Sequence, residues 1–251
     1  MIPKWYHSGR SRRRVRLPSA RTRSLDYGPR KGSAHDSLAC HARGINVGTH
    51  NRVPMKDLKL DLKQAGYGDV VTVGQSGNIV LCSELSEADI NAAVSQLLED
   101  AYGVRVPVTS RSAEEISEVL AKNPLADVAE DGSKYIVIFL SEDPGKEKAA
   151  ELMAEDHSPE TVYAEGRTVW VYTPDGVKAM TFSQTALEKR FNVVATARNV
   201  NTLEKIAAKL LTLRVNSERD ELPARRTIYT SIQDGTGVQS RSMGITCNRS
   251  S

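Results

Sequence analysis

Two short stretches concentrate side chains suited to holding an anion. RGINVGTHNRVP, residues 43–54, sets Arg43, Asn46, Gly48, His50 and Asn51 within twelve positions, and ATARNVNTLEKI, residues 195–206, places Thr196, Arg198, Asn199 and Thr202 at the start of an apolar helical period. Gln75, Ser76 and Asn78 lie in a glycine-dotted GQSGN, and Lys189 with Arg190 closes LEKR. Guanidinium groups take anionic oxygens through paired N–H donors, amide side chains fix orientation, and a helix start offers free backbone N–H groups to negative charge. One reading is a single anion site. Arg43 and Arg198 clamp the charge, and Asn46, Gln75, Ser76, Asn78, Lys189, Arg190, Thr196, Asn199 and Thr202 complete the contact. The other reading gives these residues architectural work as helix caps, left-handed turns and ties between parts of the chain. Both stay open here, with Gly44, Gly48 and Pro54 read as turn chemistry and Arg43 and Asn46 as the better candidates for ligand contact.

Other chemistries have less support. Gly44 and Gly48 lack the Gly-Lys-Ser/Thr ending of a phosphate-binding loop, and no G-x-G-x-x-G occurs. His35, Cys40, His41 and His50 fit no zinc spacing, so no metal is expected, and no cofactor either. Cys82 sits within an apolar run and reads as a buried, inert thiol. A serine triad would need His50 or His157, and neither accompanies a Gly-x-Ser-x-Gly elbow. The carboxylates Glu84, Glu87, Asp89, Glu99, Asp100, Glu114, Glu115 and Glu118 read as solvated helix surface near helix starts. Tyr163, Trp170 and Tyr172 could form a base-stacking sheet, but core packing is the favoured reading because the chain body is acidic and no aromatic RNA-binding signature is present.

The elements that must position the site follow from periodicity. A strand is expected over residues 40–47, then a helix from Pro54 with Met55, Leu58, Leu62 and Ala65 on one face, stopped at Gly66. DVVTV and NIVLCS flank the turn GQSG as a hairpin. Ser86 and Asp89 cap a helix running to Gly103, and VRVPVTS is the closing strand, with Pro107 pointing to a sheet edge. The order is β-α-β-β-α-β. Ser112 and Glu115 form a second capping box for a helix ending at Asn123 and Pro124, after which the polar ADVAEDGSK marks the boundary between halves at about residue 124. The order then nearly repeats: strand YIVIFL, a helix over 144–154, strand TVYAE, a Gly166 turn, strand TVWVYT, helix QTALEKRF, the segment NVVATARN, and a last helix capped by Asn201 with Glu204. This gives subdomains at 39–124 and 125–214.

The chain has 251 residues, 39% hydrophobic and 26% charged, enough for one or two domains with a real core. Its net charge of +3 is unevenly placed. Residues 1–38 are strongly basic, through RSRRRVR above all, and the remainder is net acidic. Residues 1–38 and 215–251 lack an apolar period and are expected to be disordered ends. The first reads either as a nucleic-acid-binding arm, vaguely like an organelle transit segment, or as a start assigned too far upstream. No apolar run approaches the ~20 residues of a membrane span and no secretory signal stands near Met1. With Cys40, Cys82 and Cys247 an unpaired odd set, a cytoplasmic protein without membrane contact is expected.

Taken together, RGINVGTHNRVPM, QSGNIVLCS, PDG, LEKR and ATARNVNTLEKI resemble, in order and spacing, the bacterial family called domain of unknown function 1697, over residues 39–212. The resemblance implies a cytosolic α+β protein with two ferredoxin-like βαββαβ subdomains and a C-terminal helix. It brings no established activity or catalytic set, so an enzyme is neither implied nor excluded. The chain departs from the pattern at LACHA, where His41 stands in place of a leucine-like residue and weakens the first strand, and at Val200, where a tryptophan is expected. The functional expectation is a small anionic ligand, a nucleotide or phosphorylated metabolite. The alternative is a nucleic-acid or protein interaction module using Lys189, Arg190 and the basic end.

Overall fold

The computed structural model describes residues 36–221. The first half is built from β1 (Asp36–Ala42), α1 (Met55–Gln64), β2 (Gly68–Val73), β3 (Asn78–Ser83), α2 (Glu87–Tyr102) and β4 (Val108–Ser112). Its four strands form an antiparallel sheet in the order β2-β3-β1-β4. The second half repeats this with β5 (Tyr135–Leu140), α4 (Lys146–Ala154), β6 (Thr161–Glu165), β7 (Thr168–Tyr172), α5 (Gln184–Phe191) and β8 (Ala195–Asn199), in the order β6-β7-β5-β8. Both are ferredoxin-like βαββαβ units. Two further helices, α3 (Ala113–Lys122) and α6 (Val200–Glu221), follow the last strand of each half.

Strand alternation sorts the side chains into three cores. Leu38, Cys40 and Ala42 of β1, with Ile79 and Leu81 of β3, turn toward α1 and α2. In the second half, Ile136, Ile138 and Leu140 with Val169 and Val171 turn toward Leu152 of α4 and Leu187 and Phe191 of α5. The opposite faces of the two sheets share the third core, Ala39, Val80 and Cys82 meeting Tyr135, Val137, Phe139 and Trp170, with Ile116 of α3 and Leu203, Ile206 and Leu210 of α6. Both β3 and β5 are therefore buried on both faces, which is why NIVLCS and YIVIFL read as continuous apolar runs. Helix α6 leaves the second half and packs on β1, β2 and β3 of the first, and also against α3, so each sheet is covered partly by the other half's chain.

Several expectations need correction. The first strand spans Asp36–Ala42 rather than 40–47, because Gly44, Asn46, Gly48 and Asn51 all take positive φ, which ends extended backbone at Ala42. His41 does not weaken that strand: β1 is a central strand paired on both sides, and His41 is fully buried in it. Residues 36–38, expected to belong to the disordered basic end, are instead part of β1, and the Arg-rich cluster lies outside the described residues. The last helix is capped by Asn199, whose Oδ1 accepts the Thr202 N–H at 3.0 Å, and not by Asn201. That helix runs to Glu221, beyond the boundary expected at 214, and the remaining C-terminal sequence lies outside the described residues.

The capping box at Ser112 is present in full: its hydroxyl accepts the Glu115 N–H at 3.1 Å while the Glu115 carboxylate accepts the Ser112 N–H at 2.9 Å. Ser112→Ala is expected to cost about 1 kcal/mol in a denaturation midpoint, the usual value of such a cap. A neutral result would mean that α3 is held by its packing alone.

Candidate functional site

The loop after β1 is tied down by its own amides. Asn46, at φ +55, donates from Nδ2 to the Val53 carbonyl at 2.9 Å and the Gln75 carbonyl at 2.8 Å, while its Oδ1 accepts the Val53 N–H at 2.9 Å. Asn51 Nδ2 donates to the Gly44 carbonyl at 3.0 Å. Asparagine suits both positions because it tolerates left-handed backbone and its amide bonds nearby backbone groups. Gly77 approaches the same loop so closely that a side chain there would collide with Ile45.

Onto this loop the second half places Arg198, the last but one residue of β8. Its Nη2 donates to the carbonyls of Ala42 at 2.9 Å and Ser76 at 3.0 Å, its Nη1 to Ala197 at 2.6 Å, and its Nε to Asn78 Oδ1. Burial pulls the guanidinium down to about 10, leaving it charged at neutral pH. Asn78 Nδ2 donates to the Val73 carbonyl at 3.1 Å, which orients the amide so that Oδ1 also faces His41 Nδ1 at 3.2 Å. His41 must then carry its proton on Nδ1, leaving Nε2 buried without a partner among the described residues. The imidazole stacks on Phe139 of the second half at 5.2 Å. Arg43 reaches across in the other direction, its Nη1 bonding Glu188 of α5 at 2.5 Å, and Glu188 also accepts the Ala195 N–H at 2.9 Å.

The structure thus brings Asn46, Asn78 and Arg198 together, with the backbone of Gln75 and Ser76, at a seam between the halves, while Arg43 crosses the seam to Glu188 instead. The side chains of Gln75 and Ser76 are exposed at its edge. Asn199 is occupied as the α6 cap, and Thr202 contributes its amide to it. Thr196 is fully buried, 3.4 Å from Thr109 across the seam. Arg190 is drawn to α4, where it bonds Glu155 at 2.6 Å and approaches Glu151 at 3.8 Å, while Lys189 remains exposed. Of the residues weighed for metal binding, Cys40 and His41 face opposite sides of β1, and burial pushes the Cys40 thiol up to about 12. Cys82 is buried too, its Sγ 3.7 Å from Ser37 Oγ.

A second seam contact has no signature in the sequence. Arg111 of β4 is 2% exposed and lies over the Phe139 ring at 5.2 Å. Its guanidinium bonds Glu87 at 3.1 Å and the carbonyls of Ser110 at 2.7 Å, Leu140 at 2.5 Å and Arg167 at 3.3 Å. Arg167 of the second half bonds the same Glu87 carboxylate at 2.8 Å and also Glu115, so two arginines and two carboxylates from both halves form one network. Glu87 and Glu115, read from sequence as solvated helix surface, are half-buried here. Their role is to neutralise cations at the seam.

Comparison with known proteins agrees with this architecture. The chain is similar in fold to a conserved bacterial protein from Streptococcus pneumoniae, SP0830, at a TM-score of 0.55 and 24% identity, covering 70% of this chain and 99% of that one. A search of curated proteins found no match. The family model described as "Protein of unknown function (DUF1697)" matches residues 40–170, which take in the end of β1, its asparagine-pinned loop, the rest of the first half, and the second half as far as Trp170 of β7. More than half the chain is thus accounted for by one family, and this protein belongs to the domain of unknown function 1697 family.

Proposed function

We propose that this protein binds a small anionic ligand, a nucleotide or phosphorylated metabolite, in the cytosol, with Arg198 supplying the charge. The observation that carries the reading is the missing countercharge. Arg43, Arg111 and Arg167, the other arginines withdrawn from solvent among the described residues, each face a carboxylate, whereas Arg198 is surrounded by three carbonyls and an amide oxygen. A half-buried cation among neutral acceptors is stabilised by an arriving anion. The exposed side chains of Gln75 and Ser76 stand at the edge of its seat and supply orienting contacts, while Asn46, Asn78 and Asn199 hold the backbone that forms it. The engaged amides of Asn46 and Asn78 also match the architectural reading, so the two descriptions meet at Arg198 alone.

Thermal melting of the full chain with inorganic phosphate, a sugar phosphate, ATP and a short RNA tests this. A native-state ligand present at 100 times its Kd stabilises by about 2.7 kcal/mol, so a phosphorylated compound is expected to raise Tm clearly. Arg198→Lys keeps the charge but loses the planar fork, and is expected to weaken the effect tenfold or more. Gln75→Ala, an exposed substitution, should weaken it without altering the unliganded melt. No rise with any phosphorylated compound contradicts the proposal, and a rise with RNA alone moves the assignment to an interaction module.

A further inference from the structure

A cleft of about 430 Å³ opens between α3, the first turn of α6 and the inner face of β5 and β7. Its volume falls in the range of small-molecule sites, and it lies where such sites are common, between two subdomains. Tyr135, Val137 and Trp170 line the sheet side, and Val119 and Val200 the helix side. Nothing in the anion site described above uses these residues.

Trp170 is the informative one. It is 3% exposed and packs edge-on against Tyr163 at 5.8 Å. Its indole N–H has no acceptor among the described residues and is not one of their buried, unpartnered polar atoms, so it is open at the cleft that Trp170 lines. Asn201 and Glu204, both exposed, border the helix side of the cleft and leave an amide and a carboxylate accessible at its mouth. Gly132 closes one end, since any side chain there would collide with Asn201 Oδ1. The bordering loop carries Asp127, Glu130 and Asp131, and its Lys134 is turned away to the Pro174 carbonyl at 2.7 Å. With Glu204 these make the surroundings acidic, which disfavours an anion and favours a neutral or cationic guest.

We infer that this cleft is a binding site for a planar nitrogen heterocycle carrying an exocyclic amino group. The apolar walls take the ring faces, a ring nitrogen accepts the Trp170 N–H, and the amino group donates to Glu204. An apolar pocket with a few convergent polar groups selects its guest by leaving those groups unpaired when the wrong one enters. The site is separate from Arg198 and does not depend on the anion reading.

The test is a titration of the full-length, ¹⁵N-labelled protein with adenine, following the two indole N–H resonances, which Trp5→Phe assigns to Trp5 and Trp170. Adenine is expected to shift the Trp170 resonance saturably, purine without the amino group to bind about tenfold more weakly, as befits the loss of a hydrogen bond to a charged acceptor, and benzoate to have no effect. Val200→Trp fills the cleft and is expected to abolish the shift. Glu204→Gln, on an exposed carboxylate that does not support the fold, is expected to weaken adenine about tenfold. Absence of a saturable Trp170 shift up to the solubility limit of adenine overturns the inference, as does equal binding of adenine and purine, or a shift that Glu204→Gln leaves unchanged. Phosphate stabilisation that survives in a protein deaf to adenine, or the converse, separates the two sites.

Discussion

Arg111→Ala is expected to lower the unfolding free energy by about 3–5 kcal/mol, the usual cost of removing one partner from a buried ion pair. Four neutral or charged acceptors lose their donor at once, and the Phe139 ring loses the cation above it. Glu87 and Glu115 keep Arg167, so the carboxylates are not left entirely bare, which places the effect toward the lower end of that range. Arg111→Met, which keeps most of the volume without the charge, should recover part of the loss, since a well-packed apolar replacement avoids burying a charge. Urea denaturation of the three proteins measures this. A loss below about 1 kcal/mol for Arg111→Ala would show that the network contributes little to joining the halves.

The second large effect is a dependence on acidity set by His41. Burial, then the nearby Arg198, push its imidazole down to about 3 against the pull of the Asn78 hydrogen bond, with Arg111 adding to the depression. The folded protein therefore refuses a proton that the unfolded chain accepts below about 6.5. Stability from this group is complete above that pH and is lost as pH falls through the window from about 6.5 toward 3, at about 1.4 kcal/mol per pH unit. Between pH 6.5 and 5 the wild type should lose about 2 kcal/mol more than His41→Leu, a comparison that cancels the carboxylates common to both. Parallel pH profiles for the two proteins would show that the buried imidazole is protonated or solvated in the native state.

How much of this was legible in the sequence depends on how local each signal is. Caps at Ser86 and Ser112, the hairpin turn of residues 74–77 and the doubly buried runs NIVLCS and YIVIFL depend on neighbours a few residues away, and they appear where periodicity places them. The face of β1 bearing Ser37, Ala39 and His41, and of β4 bearing Thr109 and Arg111, was not legible. Small and polar alternation normally marks a solvated face, but here it meets the second sheet and α6, a contact between distant segments. The same cause made His41 look misplaced and hid Arg111. For the candidate site, Arg43, Asn46, Asn78 and Arg198 stand out in the sequence by residue type and spacing, but Glu188, the partner that takes up Arg43, does not. The sequence also did not distinguish Arg190, which serves α4, from residues of the seam. Val200 lines the cleft between α3 and α6, where a tryptophan would occupy much of the space.

The most direct test of the account is to follow the Arg198 Nε–H resonance in the ¹⁵N-labelled full chain while inorganic phosphate, and then the best compound from the melting panel, is added. If Arg198 holds the anion, this resonance shifts saturably with the same midpoint as the rise in Tm, while the Arg111 Nε–H, enclosed with its carboxylates, stays in place. A ligand that stabilises the protein yet leaves the Arg198 resonance unmoved, or no shift with any anion, would contradict the assignment and leave Arg198 as a tie between the two halves.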